Sequence, residues 1–225
     1  MMPQLFPRSF DKEMSDKFQE HLEEKNVTIL TSSAVESING DEKVESVTID
    51  GQQRPADMVI LSTGVRAETK LAESIGCKLG RFAIEVDEHM ETSVKDVYAA
   101  GDCVEVVSAI TGEKTPSPLG TTAVRQGIIL AKHLTGHDIE FKPVLNSTVS
   151  QIGRMEMGAV GITQQEAENM DIDVVVSNIE SLSKARYYPG SKPLYLKLIA
   201  KLDGTIIGCQ MFGQEAVAER VDTMT

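Results

Sequence analysis

The sequence lacks any Lys/Arg block longer than a dipeptide, any apolar run of membrane length and any cysteine cluster, and each absence removes a class of function. Its 225 residues carry a formal net charge of −12. An acidic chain without a basic stripe is a poor match for a phosphate backbone, which argues against a nucleic-acid partner. No apolar stretch approaches the roughly eighteen residues of a membrane span. The start, Met1-Met2-Pro3-Gln4, has neither the basic nor the apolar region of a signal peptide, so the chain reads as cytoplasmic with no membrane partner. Cys77, Cys103 and Cys209 form no C-x-x-C pair and, with the four histidines, no metal-ligand pattern. They are expected as reduced, partly buried thiols, and no metal is expected. G-x-G-x-x-G, the glycine-rich turn that meets a dinucleotide's pyrophosphate, does not occur.

What is present is enough apolar residue, 41% of the chain, for one large core or two to three small ones. Asp11 is placed to cap a helix running to about Lys25, with Met14, Phe18 and Leu22 on one face. Residues 27–30, 34–38, 44–49 and 58–61 are rich in strand formers, with turn chemistry at 39–43 and at Asp50-Gly51. Helix, small meander and apolar strand together suggest α/β layering. A second unit is expected from about Leu71, with strands at 82–86 and 96–100. A helix is expected over 119–134, stopped by Gly136 and carrying a small-residue face of Ala123, Gly127, Leu130, Ala131 and Leu134 for close packing. From about Val144 the pattern turns antiparallel. Thr163-Gln164-Gln165-Glu166 is a capping box, and residues 194–202 and 205–212 flank Asp203-Gly204, the dipeptide favoured by a type I′ hairpin turn. These two strands hold more apolar residues than one solvated sheet face needs, which points to a homodimer contact.

The segment Thr92-Ser93-Val94-Lys95-Asp96-Val97-Tyr98-Ala99-Ala100-Gly101-Asp102 is the most informative. A glycine at a strand end lets a ligand approach the backbone, and an Asp there can accept hydrogen bonds from a ribityl or ribose hydroxyl. A strand followed by Gly-Asp is also a common structural turn or helix cap. Both readings stand on the residues alone.

This segment resembles the second flavin motif of the pyridine nucleotide-disulfide oxidoreductases, whose closing Asp contacts the ribityl–phosphate part of FAD. Two further segments agree in order and spacing. Met58-Val59-Ile60-Leu61-Ser62-Thr63-Gly64-Val65-Arg66 is similar to the apolar strand and A-T-G-x-R-P-N with which the family closes its NAD domain, although Ser62 replaces Ala and Ala67-Glu68 replaces Pro-Asn. Pro118-Leu119-Gly120 with Ala123-x-Arg125-Gln126-Gly127 resembles the helix whose N-terminus lies under the flavin ring, where free N–H groups and the dipole favour electron density. An ordinary packed helix is the rival reading. Arg186-Tyr187-Tyr188-Pro189-Gly190 and Gly208-Cys209-Gln210-x-x-Gly213 resemble the dimerisation domain of the NADH oxidase and coenzyme A-disulfide reductase branch. There a Tyr lies near the partner subunit's redox centre, so Tyr187 or Tyr188 is either such a trans contact or simple packing.

The resemblance implies an α/β fold with partial NAD- and FAD-binding Rossmann-like layers, followed by an α+β dimerisation domain with an antiparallel sheet. It divides the chain into 1–72, the later half of an NAD(P)-binding domain; 73–143, the returning segment of an FAD-binding domain; and 144–225, a dimerisation domain that stops early. It implies FAD and NAD(P)H as cofactors of the complete enzyme, oxygen or a thiol or disulfide as acceptor, and a homodimer. The cofactor-binding candidates are Gly64, Gly101, Asp102, Leu119, Gly120, Thr121 and Ala123. The family's redox cysteine is not in this sequence; Cys103 stands where relatives keep a small residue and is not read as a nucleophile. No catalytic residue is assigned, and the chain by itself is expected to retain neither cofactor and to be inactive. The alternative is a natural short assembly or regulatory module derived from the family.

Overall fold

A computed structural model describes residues 2–225. In chain order its elements are α1 (Lys12–Glu23), β1 (Val35–Asn39), β2 (Ser46–Ile49), β3 (Gln52–Pro55), α2 (Lys70–Ser74), β4 (Glu105–Val107), β5 (Lys114–Pro116), α3 (Gly120–Leu134), β6 (Thr148–Ile152), β7 (Met155–Gly161), α4 (Gln164–Asn169), β8 (Val174–Leu182), β9 (Pro193–Lys201), β10 (Ile206–Gly213) and α5 (Val217–Met224). The chain is mixed α/β, and its named strands pair antiparallel. They fall into two compact units: the chain up to Ser62 together with Ser147–Thr225, and Thr63–Asn146.

The first unit is built on a five-stranded sheet of order β6-β7-β10-β9-β8. Side chains alternate across a strand, so β7 serves two faces. Met155, Met157 and Ala159 point to one, where Phe10, Met14 and Phe18 of the α1 region and Phe212 complete the core. Gly158 points to the other, against Val217 and Val221 of α5. Strand β10 is likewise buried along nearly its whole length. Most of the apolar content of 206–212 is covered inside its own unit, so it does not by itself mark a subunit contact.

The helix expected from Asp11 forms as α1, with Met14 and Phe18 buried. Asp11 lies at its N-cap, but its carboxylate does not cap it. It accepts instead from the backbone N–H groups of Gln164 and Gln165 at 3.0 and 3.1 Å, the first turn of α4. The α4 capping box is also in place, Thr163 Oγ1 accepting from Glu166 N at 3.0 Å.

The 194–212 hairpin forms, but not with the expected turn. Of its central residues only Gly204 has positive φ, 88°. Its N–H bonds to Lys201 O at 2.9 Å, a three-residue connection ending on a left-handed glycine. The type I′ signature is found instead at Asp50-Gly51, with φ of 48° and 74°, between β2 and a strand β3 that the polar run Gln52-Gln53-Arg54-Pro55 did not announce.

Residues 27–30 and 58–61 are not strands, and 82–86 and 96–100 make only isolated bridges. For 58–61 the cause is the lack of a partner. A strand's backbone is satisfied only by a neighbour, and among the described residues none runs beside 58–61. Met58 and Ile60 stand 78% and 82% exposed.

In the second unit Ala72, Cys77, Ile84, Val86, Met90 and Val104 form the core, with Val97, Ala99, Cys103 and Leu130 packed against it. The expected helix appears as α3, and Gly136 (φ 88°) follows its end with its N–H on His133 O at 2.9 Å. Of the expected small-residue face only Ala123 and Leu130 turn inward, while Gly127, Ala131 and Leu134 are exposed. Thr122 and Gln126 are buried, while Val124, Ile128 and Leu134 are exposed.

Candidate functional site

The core of the second unit carries the 97–104 segment up to a tight turn. Gly101 sits there at φ 94°, a conformation that only glycine adopts without strain. Val104 N returns to Gly101 O at 3.2 Å, and Cys103 Sγ bonds Ala100 O at 3.4 Å, so the turn closes on itself. Asp102 leaves its apex exposed.

Helix α3 meets this turn through its first two windings. Gly101 N donates to Gln126 Oε1 at 2.7 Å, and a Cβ built on Gly101 would lie 3.8 Å from the Ala123 methyl. Leu119 holds the N-cap position in extended conformation, with no side-chain cap, and the first turn contains no acidic residue. The first intrahelical bond shown there runs from Ala123 N to Leu119 O at 3.0 Å, which leaves the N–H groups of Gly120, Thr121 and Thr122 at the open, positive end of a 15-residue helix. Gly120 and Thr121 are exposed. Below them the buried hydroxyls of Ser117 and Thr122 bond at 3.0 Å and fix the entry of the chain into the helix.

Gly101, Asp102, Leu119, Gly120, Thr121 and Ala123 thus belong to one constellation: an exposed carboxylate on a glycine turn, packed on an uncapped helix N-terminus. That arrangement can accept from hydroxyls and donate to an anion. Gly64 is not tied to it; it is an exposed glycine at φ 99° with nothing within 4 Å of its Cβ position. Gln126 was not singled out by sequence. The signal was a polar residue on the buried i, i+4, i+8 stripe Thr122, Gln126, Leu130.

A cavity of the second unit lies elsewhere. Its roughly 300 Å³ are lined by Asp87, Glu88, Glu105 and Glu140 with Lys114 and Lys142, an acidic wall ill suited to phosphate. Glu105 is itself committed, accepting from Phe82 N at 2.5 Å.

In the first unit Tyr187 and Tyr188 are 84% and 57% exposed, with ring centroids 5.2 Å apart. Neither is packed into the core of this chain. Cys77 and Cys209 are buried, and burial pushes the Cys209 thiol up to about 11, far from a nucleophile's range. Among the described residues no group of His, Cys, Asp and Glu could hold a metal, and no helix is long and apolar enough to cross a membrane.

Two family models match: pyridine nucleotide-disulphide oxidoreductase over residues 1–127, and the dimerisation domain of the same proteins over 149–225. An NADH oxidase of Methanocaldococcus jannaschii is 48% identical over all of this chain and 50% of its own length. A CoA-dependent NAD(P)H sulfur oxidoreductase of Pyrococcus furiosus is 34% identical over 96% of this chain and 49% of its own. The solved NAD-dependent persulfide reductase of A. fulgidus is 35% identical and superposes with a TM-score of 0.95, over all of this chain and 42% of that one. The chain spans about half the length of these relatives.

Proposed function

The chain belongs to the pyridine nucleotide-disulphide oxidoreductase family, and from that premise we propose that it carries part of the flavin site and the subunit contact of an NAD(P)H oxidoreductase. The family is FAD- and NAD(P)H-dependent. When bound, FAD supplies the hydride chemistry between NAD(P)H and the acceptor, here oxygen or a disulfide-type substrate. The chain's own residues bind and orient. The observation that carries the reading is the Gly101-Asp102 turn set on the uncapped start of α3.

In this reading the Asp102 carboxylate accepts from the ribityl hydroxyls, and Gly101 lets the ligand come close to the backbone. The open N–H groups of Gly120 and Thr121 would favour electron density on a bound flavin, and Leu119 and Ala123 would line the same site. Gly64 serves at most the approach from the nicotinamide side. The division 1–72, 73–143 and 144–225 assigns Gly101, Asp102, Leu119, Gly120, Thr121 and Ala123 to the returning segment of the flavin domain and Gly64 to the nicotinamide part, with the subunit contact in the last part. The exposure of Tyr187 and Tyr188 favours a contact with a second subunit over packing within the chain. With no G-x-G-x-x-G in its sequence, the chain alone is proposed to hold neither cofactor and to be inactive. The relatives described are named as oxidoreductases, and they lend no support to a non-catalytic assembly module. A cytoplasmic location fits the same reading.

The test is flavin retention in the complete enzyme. Asp102→Ala removes a charge-assisted bond worth about 1.5–3 kcal/mol and should lose FAD on dialysis, while NADH recognition is largely kept. Asp96→Ala, in the segment leading to the turn, should keep its flavin. Equal flavin content in wild type and Asp102→Ala would remove the assignment.

A further inference from the structure

Gln126 lies in the middle of the buried face of α3 and is fully inaccessible. Its Oε1 accepts from Gly101 N at 2.7 Å, while its Nε2 has no hydrogen-bond partner among the described residues. The amide cannot be turned over, because that would aim Nε2 at another donor. A donor buried without an acceptor costs more than a single neutral hydrogen bond returns. Packing alone would therefore be served better by a methionine of similar length. What a methionine cannot do is hold the Gly101 N–H.

We propose that Gln126 is the positioning residue of the site. It fixes the Gly101-Asp102 turn against α3, so that the exposed Asp102 carboxylate and the open N–H groups of the helix meet the same ligand. The bond joins positions 25 residues apart and is the only side-chain hydrogen bond between the turn and the helix among the described residues. Gly101 is already in a conformation that a Cβ would strain, and it approaches Ala123 closely. Without the Gln126 bond the turn keeps its own closure through Val104 N but loses its reference to the helix. This inference rests on the reading of the turn as a flavin-binding element.

Gln126→Met separates a positioning role from a structural one, and three readouts are compared with wild type. In the ligand-free chain the Gly101 amide should exchange faster, with the Ala123 amide inside α3 as the control. The melting temperature should be unchanged or higher, because the dry Nε2 is gone. In the complete enzyme flavin should bind about tenfold more weakly, approaching Asp102→Ala. A lower melting temperature that accounts for the flavin lost would make Gln126 an ordinary structural amide and overturn the proposal. So would full flavin retention in Gln126→Met while Asp102→Ala loses it. If Asp102→Ala itself retains flavin, the reading of the site fails first and takes this inference with it.

Discussion

The Asp11 carboxylate accepts from the N–H groups of Gln164 and Gln165, from Gln210 Nε2 at 2.7 Å and from Lys197 Nζ at 2.9 Å. Lys197 is 1% exposed and also pairs with Glu13. Burial alone would raise the Asp11 pKa, but the Lys197 bond and the three N–H donors outweigh it and hold the carboxyl below its usual value. A depressed folded-state pKa means that the stabilisation is present above the ordinary carboxylate value and is lost as pH falls through the folded one. Asp11→Ala should thus cost about 3 kcal/mol near neutral pH, the low end for a broken buried pair because Glu13 still faces Lys197. Denaturant titrations at neutral and acid pH would check it: the gap from wild type should narrow on acidification, and an equal gap at both would contradict the assignment. Sequence placed Asp11 at a helix start, which is correct. It could not show that the helix served is α4, because those donors lie 153 and 154 residues away. Gly101, Asp102 and the start of α3 were singled out by resemblance to a family motif, since the residues alone also allowed a structural turn and an ordinary packed helix. Gln126 was not, because its role depends on one bond across the turn.

Among the elements, those that satisfy themselves were legible and those that need a partner were not. α1, α3 and α4 close their own hydrogen bonds, and the β9–β10 hairpin finds its mate three residues on. The apolar run 58–61 has strand composition but no neighbour, so its pattern predicted a structure that requires other strands. β7 shows how tightly the sheet is used. A Cβ at Gly158 would approach Val221 to 2.4 Å and Val217 to 3.2 Å, a fit that admits α5 only because the strand carries no side chain there. Gly158→Ala should destabilise the first unit by about 1–3 kcal/mol through overpacking. Amide exchange should rise first in α5, and a fully protected α5 would show that the helix shifts freely to make room.

For the molecule as a whole, the dimerisation-domain match supports the proposal of a homodimer. Of the surfaces the sequence suggested for it, the tyrosine pair is the one left open. β10 is spent on α1 and α5, whereas Tyr187 and Tyr188, with Val175 and Ile179 on the edge strand β8, remain exposed. Light scattering at high micromolar concentration should give twice the chain mass. Replacing both tyrosines by serine should shift the population toward monomer, and a wild-type monomer would count against the contact. The α/β class and the antiparallel character of the last part were both legible, because alternation and turn residues are local. The grouping of the first unit was not, since it joins the two ends of the chain.

That grouping sets an order of events in folding. The Asp11–Gln210 bonds close a loop of 199 residues, and the α1 core needs Met155, Met157 and Phe212 from the far end of the chain. The contacts of Thr63–Asn146 are contiguous in sequence, whereas Phe10, Met14 and Phe18 are covered by residues of β7 and β10 from far along the chain. Long-range closure of this kind slows folding and prolongs the exposure of sticky surface. The core around α1 is thus a late and non-local product of folding, closed only by strands that lie far from it in sequence.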